Sequence, residues 1–192
     1  MVKKIDGEFF VLEEDISYQE FVHLAQEQGW VKQLTHHGDG KKEAFQEIWT
    51  THDRKNVINY VDDPLTFTRF LWIRGSNLHP LLFEVSRRLP AYEPDDLLQM
   101  AIDAQNEQEA IGALLKIAVG FPDFDDSAFN IFRVYLTHPS PIVRKATVQA
   151  IAYRLWDESI NLLEQVSKSD PEKDIREFVQ LILEHRNIDK NN

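Results

Sequence analysis

Residues 139–146, Pro-Ser-Pro-Ile-Val-Arg-Lys-Ala, are echoed by residues 171–178, Pro-Glu-Lys-Asp-Ile-Arg-Glu-Phe. Pro139 meets Pro171, Val143 meets Ile175, Arg144 meets Arg176 and Ile151 meets Leu183, each 32 residues apart. A fixed offset of this size marks one helical unit stacked on a copy of itself, because each copy can bury its apolar side only against a neighbour. That narrows the second half of the chain to a short helical stack.

Each copy follows another amphipathic segment, residues 128–136 and 159–166, so the unit reads helix, turn, helix. A third, weaker pair is expected at residues 95–104 and 107–119, where Ile111 stands opposite Val143 at the same offset. It departs from the others in having Gly112 at the arginine position and no proline turn. The second pair is stretched by Phe121-Pro122-Asp123-Phe124-Asp125-Asp126. Residues 94–192 are therefore read as about three helix pairs.

Residues 1–93 carry a different pattern, β-α-β-β-β-α. A short apolar strand at residues 8–12 precedes Ser17-Tyr18-Gln19-Glu20, which has the spacing of a capping box and starts a helix that Gly29 ends. The loop Thr35-His36-His37-Gly38-Asp39-Gly40-Lys41-Lys42 follows. Residues 44–51, 56–61 and 66–74 are then rich in β-branched and aromatic side chains and joined by links of a few residues. Only antiparallel strands can be joined so tightly, so a meander is expected. Phe67, Leu71 and Ile73 are read to one face of the last strand, Phe70 and Trp72 to the other. A second helix is expected over residues 78–89. The fold class is α+β: a small antiparallel sheet with two helices, then a helical stack.

A helix, a turn with Asp or His and Pro, then an aliphatic residue and Arg resembles the HEAT repeat family, including the short HEAT-like repeats of bacterial proteins such as phycobilin lyases. The likeness is best at residues 138–154 and 169–186 and does not reach the first half. It implies a structural role for Arg144 and Arg176, bonding to the adjoining turn, and a concave surface lined by the second helix of each pair. Polar positions on those helices are Glu109 and Lys116, Lys145 and Gln149, and Glu177, Gln180 and Glu184; they are expected to form a partner-binding ridge.

The 192 residues include 21 basic and 32 acidic ones, a net charge of -11, which disfavours nucleic acid and anionic membrane surfaces as partners. Residues 94–192 hold 10 basic and 17 acidic residues, or -7, against -4 in the first half. There is no cysteine, which suits a reducing compartment, and the cytoplasm is the expected location. The N-terminal apolar run Phe9-Phe10-Val11-Leu12 is too short for a signal peptide, and no stretch is long enough to span a membrane.

No constellation points to catalysis or to a cofactor. Asp123, Asp125 and Asp126 lack the spacing of a calcium loop and are read as caps for the next helix. His36, His37, Asp39 and His52 have no metal-specific spacing, and the pairs Asp62-Asp63 and Asp95-Asp96 are read as turn and helix-start residues. Trp156 is read as packing at a helix link. The expected function is a non-enzymatic adaptor that binds a protein partner. Two alternatives are an immunity or inhibitor protein against a toxin or enzyme, and a bilin lyase-like or chaperone-like protein. A homo-oligomer through an uncovered terminal pair is compatible with a stack, whereas the polar tail at residues 187–192 points to a frayed end.

Overall fold

The computed structural model describes residues 7–191, with side chains through Arg186. The chain divides into two compact units at the Glu93–Pro94 bond.

The first unit is an α+β layer pair. Strands β1 (Glu8–Val11), β2 (Val31–His36), β3 (Phe45–Thr50), β4 (Asn56–Asp63) and β5 (Thr68–Gly75) form one antiparallel sheet in the order β1-β5-β4-β3-β2. Helices α1 (Tyr18–Glu27) and α2 (His79–Arg88) supply the core on one face. Phe21, Leu24, Val85 and Leu89 are buried with Trp49, Ile58, Tyr60, Leu71 and Ile73. The capping box forms as expected: Glu20 N–H donates to Ser17 Oγ at 3.3 Å and Ser17 N–H donates to Glu20 Oε2 at 2.7 Å.

The meander has one strand more than the sequence suggested. β2 pairs with β3 where the sequence offered only the exit of α1 and the start of a loop. It is an exposed edge strand, with Leu34 at 55% exposure, so it lacks the apolar alternation that betrays a half-buried strand. What fastens it is polar. Glu47, buried on β3, accepts from Lys32 Nζ at 2.6 Å, Thr35 Oγ1 at 3.1 Å and Trp49 Nε1 at 2.9 Å. Phe67 also departs from its expected place beside Leu71 and Ile73. It lies in the β4–β5 turn with φ +53° and is 83% exposed.

In the second unit every described element is helical: α3 (Pro94–Asp103), α4 (Glu107–Gly120), α5 (Asp126–Tyr135), α6 (Pro141–Arg154), a 3-10 turn (Asp157–Ser159), α7 (Ile160–Ser169) and α8 (Lys173–Asn191). Within the hairpins α3 packs on α4, α5 on α6 and α7 on α8; between them α4 packs on α6, α6 on α8 and α3 on α5. The second helices thus follow one another, and the most buried of them, α4, is enclosed from Ala113 to Val119. The tail expected to fray is helical as far as Asn191.

Caps fix where these helices begin and end. Asn106 accepts from Glu109 N–H at 3.0 Å at the start of α4, and Asp125 accepts from Ser127 and Ala128 N–H, both at 2.9 Å, at the start of α5. At the far end of α4, the carbonyls of Ala118 and Val119 accept from the Arg154 guanidinium at 2.6 and 2.7 Å, satisfying acceptors that a helix end leaves open. Trp156 is 7% exposed and packs against Phe132 and Phe124, as the sequence led us to expect.

Candidate functional site

The arginine positions of the repeat are structural and repeat in space. Arg144 Nη1 donates to the carbonyls of His138 and Pro139 at 3.0 and 3.1 Å, and Arg176 Nη1 donates to those of Asp170 and Pro171 at 2.5 and 3.0 Å. Each guanidinium thereby closes the turn that precedes its own helix. Arg144 reaches one step further and forks onto Asp170, with Nε donating to Oδ2 at 2.8 Å and Nη2 to Oδ1 at 3.0 Å. Burial pushes the Asp170 pKa up, but the Arg144 hydrogen bonds, the Glu172 N–H and the nearby guanidinium charges outweigh it, and the carboxyl titrates below its ordinary value.

The polar positions expected to form a ridge on the second helices differ in exposure. Lys145 and, on α8, Glu177, Gln180 and Glu184 are exposed, and Lys145 Nζ lies 6.0 Å from the Phe178 ring. Glu177 is engaged by Lys173 at 3.0 Å, and Gln149 is half-buried. Glu109 is exposed but serves as a cap, accepting from Gln105 N–H at 2.7 Å and Asn106 Nδ2 at 2.8 Å.

Lys116 does not belong to the ridge: it is 8% exposed. The offset of 32 residues places it opposite Val148, a position with no exposure at all, so the repeat itself had assigned it to the seam. Its amino group lies 3.8 Å from where a β-carbon on Gly112 would stand. In this pair a lysine one turn later reaches back over the site where the other pairs carry arginine.

The feature that sequence reasoning missed lies on the first helices of the pairs. A cleft of about 870 Å³ runs between α3 and α5, walled by Leu98 and Ile102 on one side and Ile131 and Val134 on the other. Its lining includes Ala110 and Tyr135, whose hydroxyl donates to the Ala101 carbonyl at 2.5 Å and ties the two helices together. Ile102 and Val134 are each 64% exposed, far more than a packed aliphatic residue. No lysine or arginine lines this cleft, and Glu107 is its one carboxylate. A second cleft of about 580 Å³ lies between α5 and α7 and is lined by Arg133, Leu162, Arg144 and Asp170. No sequence signal marked the first cleft, because its aliphatic residues follow the same helical spacing as buried ones.

The other candidate groups have local duties. Asp39 Oδ1 accepts from the N–H groups of Lys41, Lys42 and Glu43 at 2.8, 2.7 and 2.9 Å, which pulls its pKa down to about 2. His37 packs on Phe45, and His36 Nε2 is 3.7 Å from Glu43. Asp63 accepts from Leu65 N–H at 2.8 Å in the β4–β5 turn, and Asp95 and Asp96 occupy the first turn of α3. Among the described residues no group of three or more His, Asp and Glu side chains is arranged to hold a metal ion, and no helix is long and apolar enough to cross a membrane.

Comparison of the chain with protein-family models, with curated proteins and with solved structures returns no match.

Proposed function

We propose that this chain is a non-enzymatic adaptor, in which a HEAT-like helical unit fused to a small α+β unit holds a protein partner. The observation that carries the reading is the solvent-open apolar cleft between α3 and α5, with Ile102 and Val134 both 64% exposed. Large aliphatic side chains grouped on one surface of a folded protein raise its free energy in water unless a partner covers them. The repeated guanidinium–turn contacts support the HEAT-like assignment, since they recur at the 32-residue offset. The expected contact surface therefore moves from the second helices to the first. A cytoplasmic location belongs to the same proposal and rests on the absence of cysteine.

The test is affinity capture from the native host with wild type and with Ile102→Gln/Val134→Gln, each partner identified by mass spectrometry. A protein retained by the wild type and lost with the double variant supports the reading. Equal recovery by both would remove the cleft from it.

An inhibitor of a basic protein is the second reading, favoured by the net charge of -7 over residues 94–192. It requires a complex whose association slows steeply with added salt, which stopped-flow mixing at two ionic strengths would separate from a mainly apolar contact.

A further inference from the structure

We propose that the α3–α5 cleft receives a basic amphipathic helix of a partner protein, about three turns long. The inference rests on the adaptor reading and names the chemistry of its partner.

Both walls are helices of 10 residues, so the groove offers about 15 Å of length, room for roughly ten residues of a third helix laid along it. An extended segment would need unpaired backbone groups to bond with, and helical walls have already spent theirs within themselves. A small molecule binds where most of its surface is enclosed. Here the aliphatic rim, Ile102 and Val134, stands in solvent on both sides, which suits the long apolar stripe of a helix. The partner's apolar residues would recur at i, i+3 or i+4, and i+7, meeting Leu98 and Ile102 on one side and Ile131 and Val134 on the other.

Charge selects among such helices. The lining has no lysine or arginine and contains Glu107 together with the half-buried His138, and among the exposed residues that neighbour lining residues in sequence the carboxylates Asp103 and Asp126 outnumber the cation Arg133. A helix flanked by lysine or arginine is attracted to this rim, and one flanked by glutamate is repelled.

The full chain is titrated by fluorescence anisotropy with four labelled synthetic peptides of about fifteen residues, the length at which an isolated helix begins to hold. One is a leucine–lysine helix with all leucines on one face. The second replaces its lysines by glutamate, the third has the first peptide's composition scrambled so that no apolar face forms, and the fourth alternates valine and lysine as a strand former. We expect the leucine–lysine helix to bind at least about tenfold more tightly than each of the others. Ile102→Gln/Val134→Gln should weaken it by about tenfold, and Ile142→Gln, an exposed aliphatic residue outside the cleft lining, should leave it unchanged. Circular dichroism establishes that the variants keep their helix content. Equal binding of the scrambled or strand-forming peptide, or of the glutamate helix, overturns the proposal. So does equal loss with Ile142→Gln or full binding by the double variant. If the double variant still loses a captured host protein while the peptide result is negative, the partner chemistry is wrong and the adaptor reading survives.

Discussion

Arg144 and Asp170 stand 26 residues apart in the chain and meet through two hydrogen bonds of 2.8 and 3.0 Å, joining one helical pair to the turn of the next. Moving both positions back by 32 residues gives Gly112 and His138. Where the guanidinium is missing, its carboxylate is missing too, as expected of a pair buried together: a lone Asp at position 138 would face no arginine from position 112.

This pair should show strong coupling. Arg144 and Asp170 side chains are 7% and 4% exposed, so removing either leaves a buried charge without its partner, at a cost of about 3–5 kcal/mol. Arg144→Ala and Asp170→Ala are each expected to be that destabilising in urea titrations, with the double variant costing clearly less than their sum. Additive losses would mean that the contact contributes nothing as a pair.

The same contact sets an acid limit. The folded-state pKa of Asp170 is lowered, so its contribution is complete above the unfolded value of about 3.9 and drains away as pH falls through the folded value. Wild-type stability should drop on acidification below about pH 4, and the drop should be smaller in Asp170→Asn, which has no carboxyl to protonate. Urea midpoints measured across that window for both proteins settle the point.

Gly112 occupies the interior of α4 with a φ that needs no glycine, and a β-carbon there would meet only the Lys116 amino group, at 3.8 Å. Gly112→Ala should therefore raise stability by about 0.5–1 kcal/mol, the ordinary helix-propensity gain. A loss of stability in thermal unfolding would show that the Lys116 amino group needs the space.

Phe67 is a bulky residue held at φ +53° with 83% of its surface in solvent. The left-handed backbone costs a non-glycine residue about 1–2 kcal/mol, and little packing is lost when this ring is removed. Phe67→Gly should stabilise the first unit by about 0.5–1 kcal/mol after glycine's own entropy cost. Unchanged or lower stability would mean that the ring contributes to the fold despite its exposure.

Much of the fold was legible because its signals are local. Ser17 and Glu20 announce α1, Asp125 announces α5, and the repeat at Pro139 and Pro171 gives the helical pairs. β2 was not legible, since an exposed edge strand held by Lys32 and Glu47 carries no apolar periodicity. Lys116 was misplaced because its type outweighed its position. A lysine usually marks a solvated face, yet its place in the repeat put it on the buried seam.

The sequence alone determined the α+β class, the helical pairing and the arginine positions, since spacing and capping act over a few residues and persist in any tertiary setting. Only the tertiary structure decided which apolar positions stay uncovered. Leu98, Ile102, Ile131 and Val134 read as ordinary core candidates on their helices, and exposure depends on how far α3 and α5 stand apart. That separation is set by packing against helices elsewhere in the unit, so no periodicity within α3 or α5 encodes it.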